Sequence, residues 1–456
     1  MFQIIAVICF ANRLQDLNPS SRLAKFLEEA QELFWYHARV LHDFPLQVYG
    51  TALVFNSPIS KIKCAHWEDR LPFIETIVGV RDDWGMARKT ALEHIKVVVI
   101  SPDGKSLATA SDNSSFALRL WDPATGLCRQ TLQGHSHRLE MIAFSPDGKT
   151  LVSGSDDCTI QIWDATTGAH RQTLKGHSNS VRMIAFSPDS KLLASNSEDC
   201  IIQLWDVATG MCQQTLSGDS NQVQAVAFSA DGEILASCSH HHTIRLWDVT
   251  TGVCRQMHTK MNPSQLLVSD QRRRVQVVAF SPDDKTLASG ADDGSVLLWD
   301  TTAGVCRQML SEPAGQVRAV AFSPDGKTLA AGLGDTESAC VVQLWDLVAG
   351  IYRGTVPAFG PVLELSFSED SRYLKTNREV IRVPSTLVFS DDSHNRVVGV
   401  FSDGRKGCLM MDGECVLPLA PFITGRVAAL YGDTVVLIGE HWPFRPIFLR
   451  LNLCRV

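Results

Sequence analysis

The chain has 456 residues, 45% hydrophobic and 20% charged, with 42 Lys and Arg against 49 Asp and Glu. That length allows about two to four domains or one large repeat array, and the apolar content supports a sizeable core rather than disorder. The net charge of −7 argues against the basic surface that non-specific DNA or anionic-lipid binding requires. Thirteen cysteines, none in a CxxC pair, read as free thiols in a reducing compartment rather than as a secreted disulfide framework.

The chain opens on Phe2 to Ala11 (FQIIAVICFA), too short for the ~20 apolar residues of a membrane span. It also lacks the basic n-region and cleavage site of a signal peptide. It reads as a helix fragment, or as the mark of a gene model that starts late. With no span elsewhere, the expectation is a soluble cytoplasmic protein. Ser21 to Leu41 is rich in helix formers, and Leu23, Phe26, Leu27, Ala30, Phe34 and Ala38 share one face, which predicts a helix. Pro45 to Phe55 (PLQVYGTALVF) follows and Pro58 begins a shorter helix, so residues 1–82 are read as a helical linker segment.

Beyond it the sequence repeats. Trp-Asp pairs stand at Trp121, Trp163, Trp205, Trp247, Trp299 and Trp345, spaced by 42, 42, 42, 52 and 46 residues. Ahead of each lies a second phrase: SPDGK at Ser101, Ser145 and Ser323, SPDSK at Ser187, SADGE at Ser229 and SPDDK at Ser281. After most pairs comes TTG or ATG, then one residue, then Cys or His. Within a period, Val181 to Ser187 is a β-branched apolar run that stops at a Pro-Asp turn signal. Leu192 to Ser195, Ile201 to Trp205 and Cys212 to Leu216 are three further short strands. Four strands per period of 42 residues is the composition of one β-propeller blade. Each blade needs neighbours to cover its faces, which is why the array comes in many copies.

These phrases resemble the WD40 family from residue 84 to residue 355, and the resemblance implies a propeller; with the helix read over 21–41, the expected fold is an all-β propeller with a short α-helical N-terminal segment. It also implies a hydrogen-bond chain that locks each blade, from the His of a Gly-His pair through a turn Asp to a strand Ser and the Trp. Carried over, the second blade has His135, Ser153, Asp157 and Trp163, and the third has His177, Ser195, Asp199 and Trp205. Buried polar groups are costly unless paired, so such residues come as a set. In the fourth blade Asp219 and His241 have exchanged places around Ser237 and Trp247. The fifth keeps Ser289, Asp293 and Trp299 with Gln271 at the His position. The sixth has Ala331 for Ser and Pro313 for His, with Trp345 and Asp335. The first has Thr109, Asp112 or Asn113, and Trp121.

Asp83-Trp84 to Leu92 echoes the end of a blade with no strands before it, while Arg426–Tyr431, Thr434–Ile438 and Pro446–Leu451 offer three strands with no fourth. Residues 84–92 are therefore expected to complete the last blade and latch the ring, removing an exposed edge. Residues 356–456 are read as one degenerate blade with an insertion in its middle, between Pro361 and Pro421, and the closing strands. The count is eight blades, where seven is the commoner number in the family. The phrases PLQVYGTALVF and Ser57-Pro-Ile-Ser-Lys, with Trp84 feeding the first repeat and the pattern from Ser368 onward, are similar to the linker and tail of fungal NOD-like receptors. In those proteins a nucleotide-binding NACHT domain lies upstream of the WD repeats.

Chemistry-bearing clusters follow the period. Gly104-Lys-Ser, Gly148-Lys-Thr and Gly326-Lys-Thr end like phosphate-binding loops, but Val99, Ala143 and Ala321 stand where the leading glycine belongs, so they read as β-turns and no nucleotide is expected. His240-His241-His242 beside Cys238 is the best-looking metal cluster, yet consecutive turn residues point in different directions and no metal is expected. Cys128, Cys212, Cys254 and Cys306 share one repeat slot, which His170 and Tyr352 fill elsewhere, and are assigned to packing. Asp156-Asp157, Glu198-Asp199 and Asp292-Asp293 are periodic turn residues rather than paired catalytic acids. The insertion His258 to Arg274 ends in Arg272-Arg-Arg, either solvated surface or a dock for an acidic partner or phosphate.

A binding surface is easier to read. On the face of the Gly-His and Asp turns, Arg138, Glu140, Arg182, Gln222, Gln224, Gln276, Gln316 and Arg318 vary between blades, with Glu198, His240 and Asp292 on the facing turns. A fixed scaffold with a changing rim describes a recognition surface, although unconstrained positions also drift. The expected function is a non-catalytic, cofactor-free protein- or ligand-recognition platform: by resemblance, the sensor part of a fungal NOD-like receptor in self/non-self recognition of the heterokaryon-incompatibility kind. The alternative is a stand-alone WD40 adaptor assembling other proteins, as in ubiquitin-ligase or organelle-fission complexes. Against an enzyme stands the lack of any non-periodic catalytic constellation.

Overall fold

The computed structural model describes residues 74–78, 95–111, 116–217, 223–239, 244–256, 274–311, 315–334, 340–358, 362–376, 379–383, 396–402, 407–411, 414–419, 427–431, 434–438 and 446–451. Among them the chain forms eight antiparallel sheets, six of which are runs of four strands consecutive in sequence. The third blade shows the pattern: Val181–Phe186, Leu192–Ser197, Ile201–Asp206 and Cys212–Ser217, side by side in chain order. The leading strands of successive sheets lie beside one another, from Val427–Tyr431 through Ile95–Ile100 and Leu139–Phe144 to Leu365–Phe367. This places them innermost, around the propeller axis.

The repeated phrases have defined physical jobs. In the Ser-Pro-Asp-Gly turn, the Ser145 hydroxyl donates to Asp147 Oδ1 at 2.6 Å, the same oxygen accepts the Lys149 N–H at 3.1 Å, and Gly148 takes φ 70°. After the tryptophan, Asp164 Oδ1 accepts the N–H groups of Thr166 and Thr167, and its other oxygen holds Arg171 at 2.5 Å. Each tryptophan packs into the blade before its own: Trp163 against Leu118 and Leu120, Trp205 against Ile160 and Ile162, Trp247 against Ile202 and Leu204. Trp121 does the same against Val436 and Phe448 of the last sheet. The second strand must stay thin where the next blade arrives. A Cβ on Gly332 would lie 2.4 Å from Val362 Cγ1, and one on Gly290 2.3 Å from Val317 Cγ1.

Three sequence expectations need correction or restriction. The strand that completes the last sheet is Ile74–Val78, antiparallel to Ile447–Leu451 with Ile74 opposite Leu451, rather than the stretch 84–92, which lies outside the described residues. It falls inside the span assigned to a helical linker. No helix occurs among the described residues, and the helix expected over 21–41 lies outside them. Within the degenerate blade between Pro361 and Pro421, Glu379–Arg382 and Arg396–Ser402 join their neighbours in one six-stranded sheet. Cysteine usage also differs from an all-thiol reading, since Cys408 is disulfide-bonded, while eight others, including Cys128 and Cys238, are free.

Candidate functional site

The two complete sets assemble as hydrogen-bonded chains. The Trp205 indole N–H donates to Ser195 Oγ at 2.8 Å, Ser195 Oγ lies 2.8 Å from His177 Nε2, and His177 Nδ1 lies 3.0 Å from Asp199 Oδ2. In the second blade the corresponding distances are 3.0 Å from Trp163 to Ser153, 2.9 Å to His135 and 2.8 Å to Asp157. A neutral imidazole with its proton on Nδ1 satisfies every partner: Nδ1–H donates to the carboxylate and Nε2 accepts the serine proton. Burial pushes the His177 pKa down, more than Asp199 pulls it up, which favours that neutral form. Burial opposes ionisation of Asp157, but hydrogen bonds from His135 and Thr159 outweigh it and hold its carboxyl below the usual carboxylate range. Asp199 is lowered against burial by the Ser178 N–H and His177.

In the variant blades the described residues show the tryptophan end of this chain. Trp247 donates to Ser237 and Trp299 to Ser289, each at 2.8 Å, and Trp121 donates to Thr109 at 2.9 Å. Asp293 is engaged by the Ser295 N–H and hydroxyl. Asp219, His241, Gln271, Pro313, Asp335, Asp112 and Asn113 lie outside the described residues, as do the rim residues Gln222 and His240.

The rim is built on a feature the sequence reading did not see. In every regular blade the inner strand shifts register after its first residue, for example between Val181, opposite Ser197, and Met183, opposite Asn196. The skipped residue is a β-bulge, which re-aims its side chain away from the ladder. The bulge residues are Lys96, Glu140, Arg182, Gln224, Gln276 and Arg318. Beside them, the facing turns close over the strand starts: Glu198 N–H donates to Ser180 O, and Asp292 and Arg274 exchange backbone and side-chain bonds.

On one side the rim charges meet. Glu140 Oε2 receives Lys96 Nζ at 2.7 Å and Arg182 Nη1 at 2.8 Å, Arg182 Nε donates to Glu198 Oε1 at 2.8 Å, and Arg138 Nε lies 3.8 Å from Glu140 Oε1. Hydrogen bonding to Glu198 raises the Arg182 pKa further above its ordinary value. Lys96 completes this network and escaped the sequence reading, although it occupies the same repeat slot as Glu140 and Arg182. On the other side Gln224, Gln276 and Gln316 are half-buried, Arg318 is exposed, and Asp292 is occupied by Arg274.

Among the described residues no group of His, Cys, Asp and Glu could hold a metal ion. Cys238, expected near a histidine cluster, is buried with its thiol pushed up to about 12 by burial, and donates to Val275 O. Cys128, Cys212 and Cys254 are exposed rather than packed, although Cys212 lies opposite Trp205 across the ladder. Gly104, Gly148 and Gly326 sit in tight turns between strands with φ near 70°. No helix of the described residues is long and apolar enough to cross a membrane.

Family models of repeated propeller units fit this geometry. A family model described as the IFT122 first beta-propeller matches residues 94–263, and the WD domain, G-beta repeat, matches 265–300 and 304–346. The vegetative incompatibility protein HET-E-1 of Podospora anserina is 38% identical over 108 residues, which is 23% of this chain and 8% of that protein. The matched stretch is thus a small part of that relative's length. A solved structure titled "Structure of U3-55K" aligns over 63% of this chain and 89% of its own, with a TM-score of 0.49 and 23% identity.

Proposed function

We propose that this chain, a β-propeller built of WD40 repeats, recognises a protein partner through its bulge-bearing upper face, as the sensor part of a fungal NOD-like receptor in self/non-self recognition. Such a propeller is a protein-interaction platform and typically non-catalytic. The observation that carries the reading is the β-bulge at one slot of each regular blade, holding Lys, Glu, Arg, Gln, Gln and Arg on an otherwise repeated framework. The likeness to HET-E-1 and the linker phrases support the receptor role, in the cytoplasm and without nucleotide or other cofactor bound by this chain.

Arg138→Glu combined with Gln224→Lys tests the surface. Quantitative capture from the source organism should lose the partner with this variant and keep it with Lys149→Glu/Lys191→Glu on the opposite turns. Loss only with the second pair would overturn the assignment. Mapping the 5′ end of the transcript tests the receptor reading: an in-frame upstream phosphate-binding loop is expected, and its absence refutes that role.

A further inference from the structure

We propose that the open part of the upper rim, at Arg318 and Leu363, takes a peptide segment in which an acidic residue lies beside an apolar one; this rests on the upper face being the recognition surface. Adjacent bulge slots lie within one side-chain reach, as the direct pairs Lys96–Glu140 at 2.7 Å and Glu140–Arg182 at 2.8 Å measure. Those three charges, with Glu198, satisfy one another. A partner's carboxylate would have to displace Glu140 or Glu198 to reach them.

Arg318 differs. It is exposed, its neighbour at the preceding slot is the neutral Gln276, and it makes no ion pair among the described residues. The next slot around the ring is filled by Leu363, as the phrase VLELSFS from Val362 laid on VRAVAFS from Val317 shows, with both leading valines buried. Leu363 is 61% exposed, a large apolar side chain where the regular blades carry Lys, Glu, Arg or Gln. Glu364, the following residue, makes no ion pair with Arg318 among the described residues. A guanidinium with no ion pair among the described residues, beside an exposed leucine, complements a carboxylate followed within one or two residues by an apolar side chain, since an extended peptide advances about 3.3 Å per residue. The arginine supplies orientation and on-rate, and burial of the leucine supplies area.

The full chain is panned against a random decapeptide phage library, and the enriched peptides are resynthesised and titrated. Asp or Glu next to, or one residue from, Leu, Ile or Phe is expected in the enriched set. Arg318→Gln and Leu363→Ser should each weaken such a peptide about tenfold, and Arg318→Glu should shift re-panning toward Lys and Arg. Failure to enrich any peptide, enrichment of peptides without the pair, or unchanged binding to Arg318→Gln and Leu363→Ser would overturn the proposal. Binding insensitive to those two but abolished by Arg138→Glu/Gln224→Lys would keep the upper face as the recognition surface while rejecting this subsite. Insensitivity to all of them would reject both.

Discussion

Replacing Ser195 by Ala isolates the energetic core of a blade. The residue is fully buried and its hydroxyl serves two neighbours at once, Trp205 Nε1 and His177 Nε2, both at 2.8 Å. The substitution removes one oxygen, leaves almost no cavity, and strands a donor and an acceptor. At about 1–3 kcal/mol for each buried group left unsatisfied, the loss should be about 2–5 kcal/mol. Ser289 provides the internal control: only Trp299 reaches its hydroxyl among the described residues, so Ser289→Ala strands one group and should cost about half as much. Hydrogen exchange resolved by peptide suits an array whose blades need not unfold together. The 192–206 segment should lose protection in the first variant, and 286–300 less so in the second. Equal losses, or a Ser195→Ala loss below about 1 kcal/mol, would refute the view that the hydroxyl is the hub of a coupled chain.

Acid should weaken the fold in two steps. His177 has a lowered folded pKa, so its contribution is complete above the unfolded value of about 6.5 and is lost as pH falls below it; the lowered carboxyls of Asp157 and Asp199 contribute above about 4 and are lost below. The melting temperature measured from pH 8 to 3 should show both steps, His177→Gln should abolish the first, and a wild-type profile flat between pH 7 and 5 would contradict the assignment. Deleting residues 74–78 uncovers the edge of Ile447–Leu451, where Leu449 is buried, and should produce aggregation on size-exclusion chromatography; a monomer of unchanged melting temperature would refute the latch. Cys200 sits at φ 66° in a turn where the fifth blade has Gly294, so Cys200→Val should destabilise by about 1–2 kcal/mol in urea titration while Cys200→Gly stays near wild type.

The parts of this fold that sequence made legible are those fixed by local spacing. Trp205, Ser195, His177 and Asp199 stand at set distances within one period, and hydrogen bonding within one blade needs nothing else. What escaped depends on partners remote in sequence. Ile74–Val78 carries none of the repeat phrases, and only its pairing with Ile447–Leu451, at the other end of the chain, makes it the closing strand. Trp84, by contrast, echoes the repeat while its stretch lies outside the described residues. Glu379–Arg382 and Arg396–Ser402 carry none of the repeat phrases, so nothing in their composition announced two more strands in the same sheet.

The bulges belong with what was hidden, and they explain why the variable rim positions were visible without their cause. Register is a relation between two strands, so the displacement of Arg182 from the ladder appears only once Val181 is set against Ser197 and Met183 against Asn196. A residue outside the ladder has no fixed cross-strand neighbour to fit. Substitution there alters the charge of the upper face and leaves the sheet unchanged. That freedom lets one blade phrase carry Lys96, Glu140, Arg182 or Gln276 at a single slot, and it makes neighbouring slots electrostatically dependent on each other. Changing Glu140 would release Lys96 and leave Arg182 to Glu198 alone, so the charge presented by this half of the rim is set by pairs of blades rather than by any one.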